Sequence, residues 1–283
     1  MPPTQTYCTF TYTGDNSIVY SFKVRQPIFD YTTKIEMPIK FQKQDGANYG
    51  SFDFGKAYDI RSCNATFILD YADAIKLGPL WVDTTGRSRT WTMELAANSG
   101  FFPFGADKAD VGVFSVALVP ENTFQTGMAP LRWHRITFNI YNVGAYPALY
   151  AFQTDDSEGR MTFGTVTNCR PPDAWFTPSY DFSSSTVILP GGGVEYRNQG
   201  KTADTITTGF TFRGKAAKTQ RVLDYLTQTI RNDTFTFSPP AGCYPFGLSA
   251  GNGPFNVRIL QSTLNITHSQ HNIFTMDLQL EKR

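Results

Sequence analysis

Hydrophobic and polar residues alternate along several stretches of this chain, and the alternation predicts β-strands with one buried face. The clearest cases are "RSCNATFIL" (61–69) and "TITTGFTFR" (205–213). The positions expected to face inward are Cys63, Ala65, Phe67 and Leu69 in the first strand, and Ile206, Thr208, Phe210 and Phe212 in the second. Similar stretches stand in both halves of the chain, which suggests an internal repeat.

A helical pattern follows each of these two strands. In "KAAKTQRVLDYLTQTIR" (215–231) apolar residues recur at spacings near 3.6 and form one stripe. The residues of this stripe are Ala216, Leu223, Leu226 and Ile230. In the first half, Asp70 is expected to cap a short helix, with Asp73 at the capping-box position. The "GP" at 78–79 is expected to end that helix.

Nearly the same turn occurs twice, as "GFFPFG" (100–105) and "GCYPFG" (242–247). Placing Gly100 on Gly242 aligns the two turns without a gap, and the strands before them agree in apolar pattern. We expect the two turns to hold equivalent places in two similar units. The turn residues predicted to matter are Gly100, Pro103, Phe104 and Gly105, and Gly242, Pro245, Phe246 and Gly247.

Short apolar stretches after each turn complete the pattern. Strands are predicted at 113–119 and 135–143 in the first half, and at 255–260 and 273–282 in the second. The order strand, helix, strand, turn, strand, strand therefore occurs twice. It predicts a mainly β (α+β) fold of two tandem β-sandwich or open-barrel domains, each with one helix.

The domains are predicted at 1–148 and 193–283, joined by a Pro-, Ser- and Gly-rich connector or arm at 149–192. The first half also carries a candidate long hairpin at 40–55, and its counterpart is expected within 193–208. We expect this hairpin to contact a neighbouring subunit or to line a lumen. The residues proposed for that role are Lys43, Gln44, Asp45, Asn48 and Tyr49.

Composition narrows the classes of protein. The chain is 41% apolar and 15% aromatic, which suffices for a packed core. A net charge of +1 argues against a surface that binds nucleic acid or membrane through bulk charge. No stretch has the ~20 apolar residues of a membrane span, and no signal peptide is visible at the start. The four cysteines are too far apart for a metal-type spacing and are expected to be free thiols in a reducing compartment.

Three motifs resemble catalytic or phosphate-binding patterns, but each lacks its context. "GLSAG" (247–251) matches the hydrolase elbow, which needs a strand before it and a helix after it. Here a turn precedes Ser249 and a predicted strand follows. "DTTG" (83–86) has no second copy to build the carboxylate pair of an aspartic protease. "PGGGVE" (190–195) lacks the Lys and helix start of a phosphate loop. We therefore do not expect an enzyme.

No metal or cofactor is expected either. The only histidines are His134, His268 and His271, and no thiol or carboxylate cluster accompanies the last two. The four tryptophans are interpreted as core or interface anchors, because the Lys and Arg residues that single-stranded nucleic acid requires are not interleaved with them. Exposed Trp and Tyr on a sandwich leave a carbohydrate-binding module as an alternative from another class.

The second half resembles the minor tail proteins of long-tailed phages, of the lambda protein M type. The resemblance covers about 90 residues and rests on the strand at 205–213, the helix stripe, "FTFSPPAG" (235–242) and the alternating last strand. The residues that carry it are Phe210, Phe212, Leu223, Leu226, Phe235, Phe237, Pro239, Pro240 and Gly242. The first half is similar more weakly, since Ala97-Asn98 stands where the Pro-Pro pair would be.

The resemblance implies a tail-tip or baseplate tube protein of a siphophage, with two fused tail-tube domains. It implies that three chains form a pseudo-hexameric ring around a channel for the tape measure protein and DNA, with other tail proteins above and below. It also implies a virion protein that is assembled in the host cytoplasm, without membrane insertion and with DNA only in transit. A distal tail, collar or other virion structural protein remains an alternative.

Overall fold

The protein is mainly β, as the sequence predicted, with long antiparallel strands and two helical segments in the part that the structure describes. The computed structural model describes residues 6–13, 19–25, 31–43, 49–55, 59–82, 90–96, 101–104, 113–120, 125–126, 133–144, 159–172, 176–181, 184–192, 194–198, 205–269 and 273–283. No described helix is both long enough and apolar enough to cross a membrane.

The chain divides into two compact units, and each is assembled from three separate segments. Unit 1 consists of Met1–Glu36, Ile60–Gln153 and Asn265–Phe274. Unit 2 consists of Met37–Asp59, Thr154–Leu264 and Thr275–Arg283. This division differs from the boundaries expected from sequence, because Met37–Asp59 and most of the expected connector 149–192 belong to unit 2.

Unit 1 is an antiparallel sheet with one helix. Its elements are β1 (Thr6–Thr13), β2 (Val19–Arg25), β3 (Tyr31–Glu36), β6 (Ile60–Asp70), α1 (Tyr71–Val82), β7 (Trp91–Leu95), β8 (Val113–Pro120), β9 (Gln125–Thr126) and β10 (Trp133–Asn142). Hydrogen-bonded neighbours follow the order β3–β6–β10–β8–β7–β1–β2. Consecutive strands are therefore not always neighbours.

Unit 2 adds two separate hairpins to a sheet of the same kind. Its elements are β4 (Ile39–Lys43), β5 (Tyr49–Asp53), β11 (Met161–Phe163), β12 (Val166–Cys169), β13 (Thr177–Asp181), β14 (Ser184–Ile188), β15 (Val194–Asn198), β16 (Thr205–Lys215), α2 (Ala216–Asp224), β17 (Phe235–Ser238) and β18 (Phe255–Ile259). The last strands, β19 (Thr263–Ser269) and β20 (Ile273–Lys282), contain residues of both units. The order of neighbours is β13–β16–β20–β18–β17–β11–β12.

The two orders become identical when ten is added to the number of each strand of unit 1, so that β3 corresponds to β13 and β6 to β16. The register agrees as well, because the pair Thr32–Asn64 in unit 1 has its equivalent in the pair Thr177–Gly209 in unit 2. After the helix, Met93 opposite Phe114 corresponds to Phe235 opposite Val257. The structure thus contains one topology twice.

Aromatic side chains fill the core of unit 1. Cys63, Ala65, Phe67 and Leu69 are all buried on one face of β6, as the alternation predicted. The ring of Phe10 lies 5.1 Å from that of Phe22, 6.0 Å from Phe138 and 6.3 Å from Phe67, measured between centroids. These contacts tie β1 and β2 to β6 and β10.

Phe163 is the centre of the equivalent core in unit 2, where Phe rings of other strands surround it. One expected core position is wrong: Ile206 is only half-buried, whereas Thr205 beside it is buried. The alternation along β16 is interrupted near its start, where two half-buried residues follow Thr205. Thr208, Phe210 and Phe212 do lie in the core.

The helices differ from their predicted ends. α1 continues through the Gly-Pro pair at 78–79 and ends at Val82. Proline inside a helix costs one backbone hydrogen bond and a clash with the carbonyl four residues earlier, so α1 carries this pair at a cost and the expected stop at 78–79 is wrong. α2 begins where predicted but is completed by a π-helical segment, Tyr225–Ile230, which places the next residue, Arg231, at φ 52°. A positive φ is uncommon for a residue with a side chain.

The expected connector contains four strands, β11 to β14. The composition of this segment does not indicate strands, because Pro and Ser are poor strand formers. Pro178 is tolerated in β13 because this strand ends the order of unit 2, where proline does not interrupt a ladder on both sides.

None of the four cysteines forms a disulfide. Cys8, Cys63 and Cys169 are buried and Cys243 is half-buried. Burial raises the pKa of the Cys63 thiol. Burial, and to a smaller extent the nearby Cys63 thiol, raise the pKa of Cys8. Both thiols therefore stay protonated and unreactive at neutral pH.

Candidate functional site

The hairpin expected within 40–55 is present as β4 and β5. Ile39 pairs with Asp53 at its base, and Lys43 pairs with Tyr49 beside its loop. Of the five residues proposed for contact with a neighbour, Gln44, Asp45 and Asn48 lie outside the described residues. The structure gives the backbone of the other two, Lys43 and Tyr49, in the last pair of the ladder.

One arginine of unit 2 holds the base of this hairpin. Arg231 donates to both oxygens of Asp53, from Nε at 2.5 Å and from Nη2 at 2.8 Å. It also donates to both oxygens of Asp59, from Nη1 at 2.9 Å and from Nη2 at 3.0 Å. All three side chains are largely buried. The hydrogen bonds to Asp53, and then those to Asp59, raise the pKa of the guanidinium, although burial opposes them.

A second arginine anchors the middle of the hairpin. Arg258, on β18, donates from Nη1 to Ser51 Oγ at 3.1 Å, and its guanidinium lies 5.7 Å from the ring centre of Phe41. The same oxygen of Ser51 accepts a bond from Asn232 at 3.1 Å. Arg258 is paired with the fully buried Glu281 of β20 at 2.9 Å. The hairpin therefore covers the charged outer face of β18 and β20.

The hairpin also presents aromatic side chains to solvent. Phe52 and Phe54 are exposed, and Lys40 Nζ lies 5.9 Å from the ring centre of Phe54. These residues alternate with the anchored ones along β4 and β5, as a hairpin with two different faces requires. An exposed aromatic face is common at protein–protein contacts.

The first repeated turn packs into the core of unit 1. Phe102 N donates to Tyr31 Oη at 3.0 Å, and Thr33 Oγ1 donates to the carbonyl of Pro103 at 3.1 Å. The buried ring of Phe104 lies 5.5 Å from that of Phe114 on the next strand. Two of the predicted turn residues, Gly100 and Gly105, lie outside the part of the chain that the structure describes.

The second repeated turn packs in the same way within unit 2. Phe246 is buried and its ring lies 4.9 Å from that of Phe255, again on the next strand. Pro245 is buried beside it, and Gly242 and Gly247 both adopt positive φ. Tyr180 Oη donates to the carbonyl of Phe246 at 3.1 Å. In both units the turn links the same pair of strands and packs its Phe edge-on against the strand that follows.

Replacing Gly247 with alanine is expected to lower the free energy of unfolding by about 2–5 kcal/mol. The residue has φ +87°, and an added Cβ would overlap the hydroxyl of Tyr180. The backbone term is about 1–2 kcal/mol and the overlap adds about 1–3 kcal/mol. Urea denaturation followed by circular dichroism measures the change.

Gly242→Ala is the matched control, because its φ is +81° and no atom lies within 4 Å of an added Cβ. It should show the backbone term alone. Adding Tyr180→Phe to the Gly247→Ala variant removes the overlapping oxygen and should recover part of the loss. Equal losses for the two glycine variants would contradict the predicted overlap.

Those motifs with catalytic or phosphate-loop resemblance that the structure describes lie in turns or loops. Ser249 is exposed in a 3-10 turn, Leu248–Ala250, bounded by two glycines at positive φ. His268 belongs to unit 1, where its ring stacks on Tyr31 at 4.5 Å. Gly191 and Gly192 lie in the loop of the hairpin β14–β15. His271 and the stretch 83–86 lie outside the described residues.

No group of three or more His, Cys, Asp or Glu side chains among the described residues is arranged to hold a metal ion. The clusters that the structure does build, around Arg231 and Arg258, join one segment of the chain to another. Sequence reasoning missed both arginines. This geometry supports attachment of the hairpin β4–β5 to the rest of unit 2, and the charged groups of both clusters pair with one another.

No family model matches this chain, and no curated protein matches it. A search of solved structures finds the 2.65 Å crystal structure of MrkH from K. pneumonia, which is 10% identical. The match covers 89% of this chain and 78% of MrkH, but the TM-score of 0.18 is too low to relate the two folds.

Proposed function

We propose that this chain is a structural virion protein of a long-tailed phage, forming a ring of the tail tip or baseplate tube around a channel for the tape measure protein and DNA. The observation that carries the proposal is the complete repetition of one strand order in two units of a single chain. Three such chains supply six similar units, so a trimer is the favoured ring.

Sheet edges support association between copies. β2 and β12 end the strand orders of their units, and no described strand pairs with their outer edges. Edge strands in general present backbone donors and acceptors that proteins normally cover. In β12 the carbonyl of Thr167 already accepts a bond from Lys218 Nζ at 2.9 Å, so β2 is the stronger candidate for association. A closed ring covers equivalent edges in every copy. The formal charge of +1 also suits a channel, since strong attraction would hinder the passage of DNA.

The mass in solution and the image of the particle test this proposal. Light scattering should give about 95 kDa for a trimer of the 31.7 kDa chain. Negative-stain images should show a ring with a central hole and six similar lobes. A protein that remains monomeric at high micromolar concentration would contradict the ring. A ring located elsewhere in the virion by labelled antibody would assign it to the distal tail or the collar.

A further inference from the structure

The hairpin β14–β15 is the structural twin of the hairpin β4–β5. Its outermost pairs, Ser184–Asn198 and Ile188–Val194, are the equivalents of Ile39–Asp53 and Lys43–Tyr49 in the first hairpin. The two hairpins therefore have the same strand length, the same register and the same loop length. Each hairpin also has the same place along the chain, because β4–β5 lies between β3 and β6, and β14–β15 lies between β13 and β16.

The first hairpin already has a receiving surface. It covers the outer face of β18 and β20, where Arg258 is 5% exposed and Glu281 is fully buried. The charges on this face are satisfied by one another and by Ser51 of the hairpin. This receiving surface has an equivalent in unit 1, because the strand order of the two units is the same.

The equivalent surface of unit 1 is the outer face of β8 and β10, which exposes several apolar side chains among polar ones. The register places Ser115 at the position of Arg258, and Val143 N donates to the carbonyl of Ser115 at 2.9 Å. Val113 is 53% exposed and Val143 is 52% exposed. Val119 and Tyr141 are also exposed on this face.

The second hairpin presents apolar residues of its own. Ile188, at the end of β14, is 76% exposed, and Leu189, the next residue, is also exposed. A single exposed apolar residue is ordinary on a protein surface. Here such residues lie on the hairpin β14–β15 and on the face of unit 1 that is equivalent to the receiving surface of the first hairpin. The chain thus has an exposed hairpin tip and an exposed apolar face.

We propose that the hairpin β14–β15 of one copy docks on the apolar face of unit 1 in a second copy, the face marked by Val113, Val119, Tyr141 and Val143. This inference rests on the proposed ring and names the contact that builds it. A hairpin on one surface and its receiving face on another make a head-to-tail contact, which closes into a ring when the rotation allows it. The contact repeats between chains what β4–β5 does within one.

The sequence is consistent with the same correspondence. Asp204 stands at the position equivalent to Asp59 when Thr32 is aligned with Thr177, and Arg89 stands at the position equivalent to Arg231 when Met93 is aligned with Phe235. Asp204 and Arg89 lie outside the described part of the chain, so this agreement is one of sequence alone. The docking face and the hairpin tip are defined by the described residues.

Two charged substitutions test the contact. Val143→Asp alters the face and Ile188→Asp alters the hairpin tip, and both residues are exposed, so each variant should fold as the parent does by circular dichroism. A charge buried without a partner should raise the dissociation constant of the assembly by about a hundredfold or more. Each variant alone should therefore be monomeric at the concentration where the parent forms its ring. Leu248→Asp, at an exposed residue outside the proposed contact, should assemble normally.

Mixing the two variants distinguishes a head-to-tail contact from other interfaces. The Val143→Asp chain keeps an intact hairpin and the Ile188→Asp chain keeps an intact face, so an equimolar mixture should form heterodimers with one contact and no ring. A ring that survives Val143→Asp, or a mixture that stays monomeric, would overturn this contact but not the ring itself. A parent chain that is monomeric would overturn the ring.

Discussion

Replacing Arg231 with methionine is expected to lower the free energy of unfolding by about 3–5 kcal/mol. The change removes the cation that holds Asp53 and Asp59 with four hydrogen bonds, and it leaves two buried carboxylates facing each other. Breaking a buried ion pair costs this much because the remaining charge has lost both its water and its partner. Urea denaturation followed by circular dichroism measures the loss.

Two further variants show whether the unpaired carboxylates cause the loss. Asp53→Asn and Asp59→Asn, added to Arg231→Met, remove the negative charges and should recover a large part of the stability. Lys34→Met breaks the exposed pair with Glu36 and should change stability by less than about 1 kcal/mol. If Arg231→Met is no worse than Lys34→Met, the three-residue cluster does not anchor the hairpin.

Replacing Phe163 with alanine is expected to cost about 3–5 kcal/mol. This side chain is fully buried in unit 2, and its ring centre lies 5.3 Å from that of Phe237 and 5.7 Å from that of Phe212. The ring centres of Phe210 and Phe235 lie 6.3 Å and 6.5 Å from it. Removing the ring leaves a cavity that these neighbours cannot close, because they are fixed on two other strands of the sheet.

Phe10→Ala gives the matched test in unit 1, where the same type of cluster surrounds a fully buried ring. Phe52→Ala is the control, because 73% of this residue is exposed and the change should fall within about 0.5 kcal/mol. The denaturation midpoint in urea ranks the three variants. A loss below about 1.5 kcal/mol for Phe163→Ala would show that the cluster repacks around the smaller side chain.

The strands that sequence predicted well are those with one buried face. β6, β10 and β20 were found from alternation alone, because a strand that separates core from solvent must alternate. One strand that it missed, β13, has exposed side chains along most of its length and a proline. Its place in the sheet depends on backbone pairing, for which the sequence carries no periodic signal. Another, β11, is only three residues long, which is too short for its alternation to stand out.

The partner of the hairpin β4–β5 could not be predicted from local pattern. Its anchors, Arg231 and Arg258, belong to the last quarter of the chain, and nothing in "SFDFG" indicates which residues they contact. The twin hairpin was expected within 193–208 but occupies Ser184–Asn198. The difference in residue number between equivalent residues of the two repeats is slightly larger before the helices than after them. An alignment fitted only to the turns cannot reveal that change.

The repeated turns could be recognised from sequence alone. Their residues are near each other in sequence, and glycine and proline have narrow backbone requirements that a short motif can display. Phe104 and Phe246, which the motif aligns with each other, are both buried. The tyrosine that bonds to the second turn, Tyr180, lies far from it in sequence and left no signal.

The three-segment composition of each unit has a consequence for synthesis on the ribosome. Unit 1 includes Asn265–Phe274, so it lacks its last piece until Phe274 has been translated. Met37–Asp59 emerges early, but Arg231 and Arg258, which anchor it, emerge much later. Domains usually fold in order as they leave the ribosome, whereas unit 1 here is completed only after most of unit 2 has been synthesised. A gene cut between the repeats would yield two fragments that each lack a segment of their own unit, so a single break would not produce two whole domains.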